Sequence, residues 1–383
     1  MKKSKVVLIR CDSYREQELY DALRRGIGLL GTAAAFVRRG EKLLLKPNVL
    51  VGDRPQRCVS THPSVLKAAG RIFGEAGADL RYGDSPGFGR PSSQLRKAGL
   101  ADVADELRIP LADFEQGSEV TFDDSPFTKK FFIARGVLES DCIVSLAKMK
   151  THQFTRFTGA VKNQFGCIPG MLKAEFHVKM QSPLDFSRML VALNLLLKPR
   201  LYIMDGVWAM EGNGPRSGDP VKMRVLLLST DPVALDSTAC RMIGLNPGYV
   251  PTSLPGSQWG LGVYESEEIE LLGDPLESFI NRDFKVRRSP PEPVTNSGGV
   301  LALMKNILSS RPVIDGKKCV RCGVCVAACP VSPKALDWRD GADGPPRYNS
   351  RNCIRCFCCQ ELCPERAIGV KTPAAGRIVF GKR

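Results

Sequence analysis

Two runs of cysteine constrain this chain more than any other feature. KCVRCGVCVAACP sets Cys319, Cys322, Cys325 and Cys329 at intervals of two, two and three residues, with Pro330 after the last. CIRCFCCQELCP repeats the intervals in Cys353, Cys356, Cys359 and Cys363, followed by Pro364. The doubled spacing is that of bacterial two-cluster ferredoxins, in which the fourth cysteine of each run binds the other cluster. It assigns one [4Fe-4S] cluster to Cys319, Cys322, Cys325 and Cys363, and a second to Cys353, Cys356, Cys359 and Cys329. Cys358 is surplus, because no ligand interval reaches it. Zinc sites pair two Cys-x2-Cys units and have no use for a third cysteine and a Cys-Pro in each run. Disulfides suit a secreted chain, and nothing here marks one.

The other cysteines, Cys11, Cys58, Cys142, Cys167 and Cys240, lie far apart and read as reduced thiols, mostly buried in a core. Only four consecutive apolar residues precede Arg10, and no later stretch approaches the length of a membrane span. The expectation is a soluble, cytoplasmic protein. The formal charge is +15; two oxidised clusters with their thiolates bring about −4, leaving a holoprotein near about +11. No nucleic-acid recognition motif accompanies that charge. It suits instead a small anionic ligand or the docking of an acidic, soluble redox partner.

At 383 residues the chain is long enough for two or three domains. Apolar runs at 5–11, 42–48, 141–148, 200–206 and 224–230 read as buried strands, and helical patterns lie between them. The alternation predicts an α/β domain over 1–286, a mostly parallel sheet with helices on both faces. RRSPPEPVTNSGG reads as a linker, and a short helix after it completes 287–311. A small α+β ferredoxin domain then spans 312–372, and a basic tail covers 373–383.

Ligands of parallel sheets sit at the C-terminal ends of the strands, and polar residues collect there. Lys46 and Asn48 follow the second strand, and Asp84 follows the third. Lys148, Lys150 and His152 follow DCIVSLA, ahead of Lys162 and Asn163. Asp205, Glu211 and Asp231 end later strands, and His177 lies beyond the Lys162 loop. Each alone is compatible with an ordinary structural role. Together, with lysine in excess, they predict one crevice that holds a carboxylate or phosphate.

KPN at 46–48, THP at 61–63, GDSPG at 83–87, KMKTH at 148–152, GAVKNQFG at 159–166, MEGNGP at 210–215 and DPVALD at 231–236 resemble the domain-of-unknown-function 362 family. Members of that family are often fused to a two-cluster ferredoxin. HQFTRFTGAVKNQFGCIPG is also similar, more weakly, to a segment of nickel-pincer lactate racemase. That similarity implies Lys162 as a cofactor or substrate lysine, His177 as a ligand and His152 as an acid or base. Where the racemase carries a second catalytic histidine, this chain has Gly83, Asp84 and Ser85, so racemisation by two bases is not expected.

The functional expectation is an iron–sulfur oxidoreductase. Single electrons would pass through two clusters to a small anion held by Lys162, His152 and His177, with Lys46, Asn48, Asp84, Lys148, Lys150, Asn163, Asp205 and Glu211 lining the site. No dinucleotide fingerprint follows an early strand. Room remains for a flavin or a nickel-type cofactor, though no motif supports either. The alternative is a ferredoxin-like carrier or accessory protein with no substrate of its own.

Overall fold

The computed structural model describes residues 3–170, 172–292, 306–338 and 344–379. The first part of the chain forms β1 (Ser4–Arg10), β2 (Lys42–Pro47), β3 (Asp79–Tyr82), β4 (Gly117–Thr121), β5 (Lys130–Ala134), β6 (Cys142–His152), β7 (Arg156–Thr158), β8 (Leu201–Glu211), β9 (Asp219–Ser229) and β10 (Ile269–Gly273). One eight-stranded sheet takes the order β10-β1-β9-β8-β6-β2-β3, with β7 folded back onto β6, while β4 and β5 form a separate hairpin. The pairs β3–β2, β2–β6, β6–β8 and β1–β10 are parallel.

Alternation along the strands explains why both faces are covered. Val7, Ile9, Leu43, Leu45, Val144 and Leu146 join one core with the helices Glu16–Leu30 and Pro63–Glu75. Val6, Leu8, Ala147 and Met149 join a second core with the helix Pro232–Met242. Leu44 and Ile143 pack into a third with Pro183–Leu197. Buried on two sides, the strands read as continuous apolar runs.

One strand runs against expectation. β9 is antiparallel to both neighbours, β1 and β8. The loop from 212 to 218 that joins it to β8 is too short for a crossover, so it can only make a hairpin. Asp231, after β9, therefore lies at the opposite edge from the other strand ends. There it accepts hydrogen bonds from Ser4 Oγ (2.7 Å) and from the N–H groups of Val233 and Ala234, as the cap of the helix that follows. It takes no part in the crevice.

β6, β8 and β9 are the long strands, eleven residues each, and the C-terminal halves of β6 and β8 carry most of the strand-end polar residues. The segment after Arg287 is tied down where it is described. Arg156 donates to the carbonyls of Ser289 (2.7 Å) and Pro290 (2.6 Å), and Glu292 accepts from the N–H of Ser310 (2.6 Å). The expected short helix falls largely outside the described residues; 306–308 are helical.

The cysteine-rich part pairs β11 (Arg311–Ile314) with β14 (Ile368–Lys371), and β12 (Leu336–Asp337) with β13 (Arg347–Tyr348). Two short helices, Val324–Ala327 and Cys358–Leu362, lie between them. The tail holds a helix at Ala374–Val379. The cysteine-rich part is seated on the strand ends of the large sheet. Gln360 donates to the carbonyl of Asn213 (2.8 Å), Arg216 to that of Leu362 (2.5 Å), and Asn213 to that of Ile368 (3.3 Å). Leu362 is buried among Val51, Val59 and Met210 of the α/β part.

Candidate functional site

The eight ligand-spaced cysteines fall into the two groups expected from their intervals. Cys319, Cys322, Cys325 and Cys363 line one small cavity. Cys329, Cys353, Cys356 and Cys359 line another, and Cys358 borders neither. The loops around both repeat the same backbone. Arg321 and Arg355 take left-handed φ of 58° and 61°, and Gly323 and Phe357 follow at 78° and 63°. A phenylalanine in that region is strained. Burial of the Phe357 ring with Phe154, Phe186 and Val370 of the third core holds it there. The N–H groups of Ala335, Ala367 and Arg355 point at the sulfurs of Cys329, Cys363 and Cys353 at 3.3, 3.3 and 3.4 Å. Backbone donors of this kind stabilise negative charge on cluster thiolates. The donor set and its surroundings therefore fit iron–sulfur ligation.

Beside these loops, where the cysteine-rich part meets the strand ends, a larger cavity opens, about 930 Å³ including its mouth. Of the residues expected at the crevice, Asn48, Asp84, Lys150, Lys162, Asn163 and His177 line it. Lys46 stands just behind. Its ammonium pairs with Asp84 at 2.7 Å, with both side chains almost wholly buried, and contacts Asn163 Oδ1 at 3.3 Å. Asp84 in turn accepts from the N–H of Val49 (2.6 Å). Gly166 passes so near that a Cβ there would lie 1.8 Å from Asp84 Oδ1, so no larger residue fits.

The lysines of the wall differ in what they have to hold. Lys150 donates to the carbonyl of Val59 (2.5 Å), and burial pushes its amine down to about 7. Lys173 donates to Ser85 Oγ (2.6 Å) and to the carbonyls of Ser85 and Ile168; burial likewise brings it down to about 7. Lys162 has no hydrogen-bond or ion-pair partner among the described residues, and its amine lies 5.9 Å from the centre of the Phe165 ring. Burial, opposed by the charge of Glu361, lowers its pKa. His177 Nδ1 and Asn48 Oδ1 are buried without partners as well. The His177 ring stacks on Phe186 with centroids 4.6 Å apart.

His152 does not reach the cavity. Its Nδ1 accepts from the N–H groups of Phe154 (3.0 Å) and Thr155 (3.3 Å), so the proton of the neutral ring sits on Nε2. Nε2 lies 3.1 Å from Glu361 Oε1, and it is Glu361 that faces the cavity. Burial pushes the imidazole down to about 4. Burial would push the Glu361 carboxyl up, but the hydrogen bond with His152 and the charge of Lys162 outweigh it and hold it below the usual range.

Three expected residues belong elsewhere. Lys148 follows Val144 and Leu146 by steps of two and shares their face. It pairs with its cross-strand neighbour Asp205 at 2.7 Å, and Asp205 also accepts from Tyr14 Oη (2.8 Å) and the N–H of His62 (3.0 Å). That network is closed and does not border the cavity. Glu211 accepts from the N–H of Lys285 (2.8 Å) and fastens that segment.

Cys358, Glu361 and Leu362 complete the wall from the cysteine-rich side. A helix beginning at Cys358 sets residues 358, 361 and 362 on one face and Cys359 and Cys363 on another. That periodicity, read from CCQELC, would have shown a face free of ligand duty. It would not have shown what the face covers.

Among the described residues no helix is long and apolar enough to cross a membrane. The model for a domain of unknown function, DUF362, matches residues 43–241, and that for a 4Fe-4S dicluster domain matches 311–364. A thylakoid-associated protein of Synechocystis is 35% identical over 277 residues, which are 72% of this chain and 86% of that protein. Among solved structures, the lactate racemase apoprotein of Thermoanaerobacterium thermosaccharolyticum aligns with a TM-score of 0.41 at 11% identity, over 63% of this chain. A protein of Thermotoga maritima aligns at 0.38 and 14% identity, over 61% of this chain. The chain spans 57% and 60% of the lengths of these two structures. With the family motifs gathered at the strand ends and the cysteine quartets behind them, the chain belongs to the DUF362 family and carries a 4Fe-4S ferredoxin-type domain.

Proposed function

We propose that this protein is an iron–sulfur oxidoreductase that delivers single electrons to a small anionic molecule held in the cavity between the sheet and the ferredoxin-type domain. Two [4Fe-4S] clusters, one per cysteine quartet, supply the electrons when bound. One observation carries the reading. The helix Cys358–Leu362 and the residue that caps it contribute Cys359 and Cys363 to the two quartets, and the same helix contributes Cys358, Glu361 and Leu362 to the cavity wall. Anything bound there rests against the helix that holds the metal ligands.

The surrounding residues suit such a task. Lys162 offers an ammonium with no hydrogen-bond or ion-pair partner among the described residues, on the wall of a cavity, where it can attract developing negative charge. Glu361 is held in place by His152 and faces the same space. His177 is packed between aromatic rings and presents a ring nitrogen with no protein partner.

The test is an anaerobic reoxidation experiment. Holoprotein is reduced with titanium(III) citrate, desalted, and mixed with the small-molecule fraction of a cell extract. Loss of the reduced-cluster spectrum in the wild type, and much slower loss in Lys162→Met with the same iron content, supports a substrate in the cavity. Equal rates in both proteins would favour a carrier that passes electrons to protein partners alone.

A further inference from the structure

An anion site accounts for only part of the cavity. The rest of its wall is carbon, with Leu50, Phe88, Phe165, Ala328 and Leu362 all bordering the same space. Phe88 is 40% exposed, in the loop after β3 between Gly87 and Gly89, and the left-handed φ of 83° at Gly89 shapes that turn. An aromatic ring left half in water invites a ligand to cover it. Ligand pockets are typically lined mostly by apolar side chains with a few polar groups that fix orientation, and this wall has that make-up. Phosphate or acetate held at the polar end would leave the carbon wall wet.

The charges limit the other end of the ligand. Lys162 is the wall lysine with no partner, since Lys150 and Lys173 are committed to carbonyl and hydroxyl oxygens. The Glu361 carboxylate borders the same cavity. A second acidic group on the ligand would lie near the Glu361 carboxylate, and like charges at close range repel strongly.

We infer that the cavity binds an amphipathic organic acid, with a single acidic group for Lys162 and an apolar aromatic or aliphatic body for the Leu50–Phe88–Leu362 wall. The inference rests on the anion-site reading above and adds the class of molecule. The ligand is a monoacid of low polarity, not inorganic phosphate or a small dicarboxylate.

Calorimetric titration of anaerobic holoprotein with five probes tests it: trans-cinnamate, octanoate, acetate, inorganic phosphate and the uncharged cinnamamide. At least one of cinnamate and octanoate should bind ten times more tightly than acetate or phosphate, and cinnamate more tightly than cinnamamide. Lys162→Met should remove the advantage of cinnamate over cinnamamide. Phe88→Ala should weaken cinnamate or octanoate severalfold and leave acetate and phosphate unchanged. Iron content and the reduced-cluster spectrum verify that both variants are folded. Lys162-dependent binding of phosphate or acetate as tight as that of the apolar acids would overturn the inference and leave the anion site standing. Equal binding of cinnamate and cinnamamide would overturn the anion site itself. Absence of binding by all five probes would overturn the inference.

Discussion

His152 Nε2 lies 3.1 Å from Glu361 Oε1, and this contact joins the end of β6 to the helix that separates Cys359 from Cys363. Two backbone N–H groups fix the ring from its other nitrogen. The histidine therefore positions a carboxylate that belongs to the neighbouring part of the chain. His152→Phe should reduce activity less than Glu361→Leu, with both retaining iron. Steady-state assays of the two variants against a reoxidising ligand would check the order.

Lys162 carries the anion reading. Lys162→Met should keep iron content and fold, and lose about 1.5–3 kcal/mol of ligand binding, about ten- to a hundredfold. Lys162→Arg should restore only part of it, because a planar fork does not replace a compact ammonium on a flexible stem. Dissociation constants for the three proteins decide the point.

The division of labour on the helix Cys358–Leu362 predicts opposite outcomes for adjacent cysteines. With two four-iron clusters as proposed, Cys358→Ser should retain about eight irons per chain, whereas Cys359→Ser should lose about half, since only the latter belongs to a quartet. Iron and sulfide analysis of anaerobically purified variants would show it. The reverse result would shift the ligand register by one residue.

Lys148 and Asp205 predict a stability effect apart from the site. Lys148→Met strands a buried carboxylate among Tyr14 and His62, and should cost about 3–5 kcal/mol. Lys148→Met with Asp205→Leu should recover much of the loss. Denaturant midpoints of the single and double variants measure this coupling.

Lys150 predicts a pH dependence. Its folded-state pKa, about 7, lies below the unfolded value of about 10.4. Between these values the unfolded chain binds more protons, so stability rises with pH, by at most about 1.4 kcal/mol per pH unit. The contribution is lost as pH falls through 7. Wild-type stability should therefore climb relative to Lys150→Met between pH 7 and 9, and a constant difference would show that the amine stays charged.

Much of this architecture could be read from local pattern, and the exceptions have physical causes. The buried strands were visible because apolar residues run unbroken through them, and the strand-end rule located Lys162, Asn163, Asp84 and Asn48 together. The direction of β9 was missed although the seven-residue loop from 212 to 218 permits only a hairpin. Lys148 and Lys150 looked alike in sequence, yet an irregularity in the pairing of β6 with β8 separates their surroundings. Glu361 and Cys358 escaped because their role depends on how two parts of the chain dock. No interval within either part records that contact.

The shared helix also bears on how the protein matures. Cys358, Glu361 and Leu362 can close the cavity only when their helix is in place, and in small metal-bound domains folding and metal binding are coupled. A chain awaiting its iron would thus have no finished binding site. Under the proposed function, such an interlock would keep a newly made copy from sequestering a molecule it has no means to reduce, and would tie ligand affinity to the success of cluster insertion.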